Sequence, residues 1–324
     1  MPGTLRRRIV SIPVLFLAAA ILTATIPVWF VVAGAADLVR GRTRLPTVRL
    51  LAFGVCWAWL EVCGVIAAFG LWCVGRAHAS RSQYALQRWW AARLMSALRA
   101  TTGIAIEAAD ASALSPGPTI MLCRHASLAD SLVSAWVVTS QARMNPRYVL
   151  KRELLVDPCL DIVGNRLPNH FLDRGADDSS AELAALRELA AGLQADEVAI
   201  IFPEGTRAAG HKRERAITKI GERDPARAAK LGELQHLLPP RPSGAAALLE
   251  GCPTADVVIA WHVGFDGLDT FGGILRHLSR RPRPVRFHAI RIAREQVPSG
   301  DGFTAWLDDQ WLLADAAVHL LLAS

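Results

Sequence analysis

The sequence predicts an α/β sheet domain with flanking helices, preceded by an amino-terminal pair of membrane helices. Three observations carry this reading. Two long, nearly uncharged apolar runs open the chain, and short apolar runs alternate with helical stretches from Gly103 onward. The hydrophobic share of 52% and the mean hydropathy of +0.26 are high for a soluble chain of 324 residues.

The first run, Ile9 to Ala36, follows Arg6, Arg7 and Arg8 and carries no charge. A bilayer core needs about 20 apolar residues, so this run is long enough to cross it. Pro13 and Pro27 would kink such a helix, which membrane helices tolerate. The basic link Arg40, Arg42, Arg44 and Arg49 leads to a second run, Leu50 to Gly75, whose single charge is Glu61. A carboxylate at that depth needs a partner or a water path. The two runs form a hairpin that spans the bilayer or is embedded in it, giving a membrane segment over 1–78 and a catalytic domain over 79–324. Arg81 to Ala100 follows as an amphipathic helix, suited to an anionic surface or to packing against a domain.

Apolar runs at Ile104–Ile106, Thr119–Leu122, Tyr148–Leu150, Val198–Phe202, Val257–Trp261 and Val285–Ile292 read as strands. Ser131–Gln141, Ser179–Leu193, Gly244–Glu250 and Thr304–Leu322 read as helices between and after them, the alternation of an α/β sheet domain. Arg207 to Lys230 is basic and polar and reads as a solvated loop-helix insertion. A net charge of +7 favours anionic partners. No zinc finger or RNP aromatic motif is present, so lipid headgroups or small phosphates fit better than nucleic acid. The six cysteines form no C-x-x-C pair and the nine histidines no ligand-spaced cluster, so no metal site is expected.

Chemistry concentrates in three stretches. His125 follows the run Thr119–Leu122, and Asp130 stands five positions later. On one continuous helix five steps would set the two side chains about 140° apart. With His125 at a strand end and Asp130 in the next helix's first turn, the carboxylate reaches Nδ1 and leaves Nε2 free for proton transfer. A buried histidine beside a helix-capping aspartate fits the same spacing. Phe202-Pro203-Glu204-Gly205-Thr206-Arg207 ends the strongest buried strand. It offers a carboxylate, a flexible glycine, a hydroxyl and a guanidinium where α/β sheets gather ligands, and an ordinary turn with a surface ion pair fits it equally. Asn169 to Gly175 is a short strand ending in Asp173-Arg174-Gly175, where Arg174 could supply a second cation. Lys151 adds positive charge after another strand.

These stretches, in this order, resemble the glycerolipid acyltransferase family, with its H-x4-D block (His125…Asp130), its F-x-D/N-R block (Phe171–Arg174) and its F/V-P-E-G-T-R-S block (Phe202–Arg207). The resemblance covers roughly Arg76 to Val263. Leu237–Gly244 looks like the branch that includes lysophosphatidic and lysophosphatidylinositol acyltransferases. Ala208 stands where the family usually has Ser, and Arg124 where it often has Asn or Ser. The resemblance implies a glycerol-3-phosphate acyltransferase-like fold and transfer of a fatty acyl group from acyl-CoA or acyl carrier protein to a lysophospholipid hydroxyl, with no cofactor beyond that co-substrate. The leading acceptor is 1-acylglycerol-3-phosphate, with lysophosphatidylinositol transfer or thioester hydrolysis as alternatives. His125 would act as general base with Asp130 orienting it. Arg174 and Arg207 would hold the acceptor phosphate, helped by Lys151, while Glu204, Gly205 and Thr206 would position the glycerol portion or order the loop. Richness in alanine and arginine points to a bacterial cell membrane, with the catalytic domain on its cytoplasmic side.

Overall fold

A computed structural model of the chain describes residues 3–127, 129–173, 179–208, 210–265, 268, 270–281 and 283–323. In chain order these form α1 (Thr4–Ala24), α2 (Ile26–Val39), α3 (Pro46–Cys73), α4 (Ser80–Thr102), β1 (Ile106–Glu107), β2 (Thr119–Cys123) and α5 (Asp130–Trp136). Then come β3 (Asn145–Lys151), α6 (Pro158–Gly164), β4 (His170–Leu172), α7 (Ser179–Ala190), β5 (Glu197–Ile201), α8 (Gly210–Gly221) and α9 (Pro225–Leu231). The chain closes with α10 (Pro242–Gly251), β6 (Asp256–Val263), α11 (Phe271–Leu278), β7 (Val285–Ile292) and α12 (Gly302–Ala323).

The chain divides into two compact units. The first comprises residues 1–105, 150–171 and 270–284 and holds the apolar helices. The run expected as one kinked helix is two: Thr25 leaves helical geometry and Pro27 stands in the first turn of α2. Proline lacks the N–H that a helix interior needs, so a helix starts there more readily than it continues. Pro13, by contrast, is carried inside α1. Asp37, near the end of α2, is buried and accepts the N–H and hydroxyl of Thr47 at 2.7 and 2.8 Å, tying the turn into α3. Leu15 and Ala19 pack with Ala58, Val62, Val65 and Ala68 of α3. α1 and α3 are each long and apolar enough to cross a membrane.

Glu61 lies on the inner face of α3, buried beside Asp157 and Cys159 of the turn into α6. The amphipathic α4 turns Tyr84, Leu86, Leu94 and Leu98 inward and packs along α3, the domain-packing alternative for that segment. Asp161 on α6 is fully buried and receives Arg7 at 2.8 Å and Arg8 at 3.1 Å, so the arginines before the first apolar run are held by a partner.

The second unit comprises residues 106–149, 172–269 and 285–324. The strands form one seven-stranded sheet in the order β1-β7-β6-β2-β5-β3-β4. β2 lies parallel between β5 and β6, with Leu122 opposite Ile201 and Ile259. β7 runs antiparallel to β6. β2 and β5 are buried at every position, as expected of central parallel strands covered on both faces. One face packs on Leu186 and Leu189 of α7, Leu248 of α10, and Leu307 and Trp311 of α12. Central β2 and β5 therefore deliver their carboxyl ends side by side, which is where the His125…Asp130 and Phe202–Arg207 blocks meet.

Candidate active site

His125 follows β2 by two residues, and Asp130 is the first residue of α5. The bend between strand and helix closes the gap that a continuous helix would leave, and His125 Nδ1 stands 2.8 Å from Asp130 Oδ2. The same oxygen accepts the backbone N–H groups of Ala126 at 2.6 Å and Ser127 at 2.8 Å, while the Ser127 hydroxyl donates to Oδ1. The carboxylate is thus held by a ring of donors as well as by the imidazole. Asp130 is 1% exposed. Burial alone would raise its carboxyl, but the nearby His262 imidazole and the hydrogen bonds from His125 and Ser127 outweigh it and hold the group well below the usual carboxylate range. The His125 side chain keeps 15% of its surface exposed and leans against the Phe202 ring at 4.9 Å. Its Nε2 makes no hydrogen bond to any described residue.

The Glu204 block grips the histidine through its backbone. The N–H of His125 donates to Glu204 Oε1 at 2.9 Å, and the N–H of Ala208 donates to the His125 carbonyl at 2.8 Å. The other Glu204 oxygen accepts the N–H of Leu238 at 3.2 Å. Burial pushes the Glu204 carboxyl up to about 8, against the opposing pull of the His125 N–H, Arg124 and the Leu238 N–H. Of the two roles expected for Glu204, this geometry supplies loop ordering: both oxygens face backbone donors.

Gly205 adopts φ +70°, a left-handed conformation open to glycine, and its N–H returns to the Phe202 carbonyl at 2.9 Å. A Cβ there would stand 3.3 Å from the Arg241 guanidinium, which lies over the turn. The Arg241 N–H donates to the Pro203 carbonyl at 2.9 Å, so the Leu-Pro-Pro-Arg segment and the Glu204 turn are laced together. Thr206 and Arg207 are half-buried, and the Arg207 guanidinium forms no ion pair with any described residue.

Among the residues expected at the site, His125, Asp130, Glu204, Gly205, Thr206 and Arg207 come together around the ends of β2 and β5. Lys151 is the last residue of β3 and belongs to the first compact unit. Arg174 lies outside the described residues. Two further residues stand at the site: His262, which was not among those expected, and Arg124, which was noted only as a departure from the family pattern. His262, which is 1% exposed on β6, places Nε2 2.9 Å from Asp130 Oδ1. That approach is within ion-pair distance, and neither ring nitrogen of His262 has a hydrogen-bond partner among the described residues. Arg124 is buried and donates through Nη1 to the His262 carbonyl at 2.6 Å. The available signal was a histidine inside the otherwise apolar run Val257–Val263, whose strand extends two residues beyond Trp261.

A strand-end histidine held by a buried aspartate can take and return a proton near neutral pH. Residues 105–259 match the family model described as Acyltransferase, so the α/β unit is an acyltransferase domain. No curated protein matches the chain in sequence. The fold is similar to the crystal structure of the 1-acyl-sn-glycerophosphate (LPA) acyltransferase PlsC from Thermotoga maritima. That likeness has a TM-score of 0.56 at 14% identity and covers 86% of this chain and 98% of the other. Residues 105–259 are thus an acyltransferase domain, and the protein is an acyltransferase at that level.

Proposed function

We propose that the protein moves a fatty acyl group from an acyl thioester, acyl-CoA or acyl carrier protein, to a lysophospholipid hydroxyl at a membrane, with 1-acylglycerol-3-phosphate as acceptor. The observation that carries the mechanism is the 2.8 Å contact from His125 Nδ1 to Asp130, on a histidine whose Nε2 is left open. His125 Nε2 takes the acceptor's hydroxyl proton while Asp130 stabilises the imidazolium. The acceptor oxygen bonds to the thioester carbonyl carbon, and the C–S bond breaks. The proton then passes from His125 to the departing thiolate. Direct attack is favoured over an acyl-enzyme because the side chains nearest the pair are unsuited to be nucleophiles. Burial pushes the Cys123 thiol up, and the Ser127 hydroxyl is committed to Asp130.

Arg207 and Arg241 grip the acceptor phosphate, a task suited to the planar guanidinium fork. Lys151 and Arg174 are proposed from the sequence pattern as further cations for the same anion. The likeness in fold to the 1-acyl-sn-glycerophosphate (LPA) acyltransferase PlsC of Thermotoga maritima supports that acceptor. Membrane embedding rests on the exposed apolar side chains Val10, Val14 and Leu17 of α1 and Ile66 of α3, helices of spanning length, and on Val31 and Val32 of the shorter apolar α2. We assign the catalytic domain to the cytoplasmic face of a bacterial cell membrane, where a cytosolic acyl donor would reach it.

The test offers purified protein a panel of lysolipids with labelled acyl-CoA and acyl carrier protein donors. Label should enter phosphatidic acid when 1-acylglycerol-3-phosphate is present. Preference for lysophosphatidylinositol would move the acceptor assignment. Free fatty acid released equally with and without any acceptor would replace transfer by hydrolysis.

A further inference from the structure

Asp130 lies between two imidazoles, and the proposed mechanism uses one of them. His125 approaches Oδ2 at 2.8 Å and His262 Nε2 approaches Oδ1 at 2.9 Å. His262 has a costly location for a polar ring. It sits on β6, a strand buried at nearly every position, opposite the apolar Phe287 of β7 and edge-on to Phe265. Neither ring nitrogen has a hydrogen-bond partner among the described residues, and what ties the ring to the site is the 2.9 Å approach of Nε2 to Asp130 Oδ1. Burying a ring with unmatched nitrogens costs free energy that an apolar residue would avoid. Arg124 fixes the strand at this residue through the His262 carbonyl. The Asp130 carboxylate is the polar partner that the ring reaches.

We infer that His262 is a positioning residue that shares the Asp130 carboxylate with His125 and so sets how readily His125 takes the acceptor's proton. The inference rests on His125 being the base. A carboxylate that spends part of its charge on a second imidazole has less to offer the first. Removing His262 leaves the whole negative charge facing His125, and an imidazolium beside a fuller negative charge holds its proton more tightly. The other titratable or charged groups around the carboxylate are Arg124 and Cys123 from the β2 end and Glu204 from the turn after β5. None of them changes when His262 is replaced. The acidic limb of kcat/KM, which reports the free enzyme's base, must therefore move to higher pH.

The experiment measures kcat/KM against pH for the full-length enzyme in detergent, as wild type, His262→Phe, His262→Ala and His262→Gln. Phe keeps the ring's bulk without its nitrogens, and Ala guards against a Phe variant that does not fold. Both should move the acidic limb upward by roughly 0.5–2 pH units. Gln keeps an N–H within reach of Oδ1 and should recover at least half of that shift. A limb that stays in place in Phe and Ala, with only kcat or melting temperature reduced, would overturn the inference and make His262 a structural residue. A downward shift would overturn it as well. His125→Ala is run alongside. If it remains active, the proposed base itself is wrong. If it is inactive while the His262 limbs do not move, only the present inference fails.

Discussion

Replacing Glu204 by Gln probes how His125, the proposed base, is held. The two Glu204 oxygens accept the N–H groups of His125 at 2.9 Å and Leu238 at 3.2 Å. Glutamine supplies one acceptor and one N–H2 group, so one backbone donor is left facing another donor. An unmatched buried donor costs about 1–3 kcal/mol. Proton linkage separates this from a general packing defect. Burial raises the Glu204 carboxyl from 4.5 to about 8. The folded protein then binds more protons than the unfolded chain between those values. Its stabilising contribution is complete below pH 4.5 and declines as pH rises through 8. At about 1.4 kcal/mol per unit, wild type loses about 2–3 kcal/mol from this group between pH 6 and pH 8. Glutamine does not titrate. Denaturant melts of both proteins at pH 6, 7 and 8 should show Glu204→Gln less stable at pH 6, with the deficit shrinking as pH rises. Parallel stability curves would refute the reasoning, because they would mean that Glu204 titrates as an ordinary exposed carboxyl. Activity should fall together with stability, since the same bond fixes the His125 backbone.

Three further outcomes follow from the geometry. Asp130→Asn removes the carboxylate that His125, Ser127 and His262 converge on, and should lower kcat by about 10²–10⁴ with little change in the KM for either substrate, read by steady-state kinetics. Arg241→Ala should raise the KM for an anionic lysolipid by about tenfold, equivalent to one charge-assisted hydrogen bond, and leave a neutral lysolipid unaffected. Gly251→Ala puts a Cβ 2.1 Å from the Arg187 carbonyl where α10 crosses the end of α7. With backbone on the other side, the helices must part, and a melt should show a loss of about 1–3 kcal/mol.

The sheet was readable in the sequence because central strands buried on both faces are near-continuous apolar runs, and β2, β5 and β6 have that form. The His125–Asp130 pairing was readable because a five-residue spacing makes sense only across a strand-to-helix bend. The break at Thr25 was less visible. Two prolines lie in the first apolar run, and only the one at a helix start ends a helix, a distinction set by tertiary packing. α6 and α11 are seven and eight residues long, too short for a periodic pattern to declare itself. His262 was hidden for a different reason. It lies 132 residues from Asp130, and only the pairing of β6 with β2 brings them together. The choice between the two roles open to Glu204, positioning substrate or ordering the loop, was not legible either, because a carboxylate's partners depend on which backbone N–H groups the folded loops present.

The central claim is that His125 is the base for acyl transfer. Its most direct test is the rate at which purified, folded His125→Ala moves labelled acyl groups from acyl-CoA to 1-acylglycerol-3-phosphate, compared with wild type at equal protein and detergent. A fall of about 10²–10⁴ with an unchanged melting profile is the expected result. Transfer within a few-fold of wild type would contradict it.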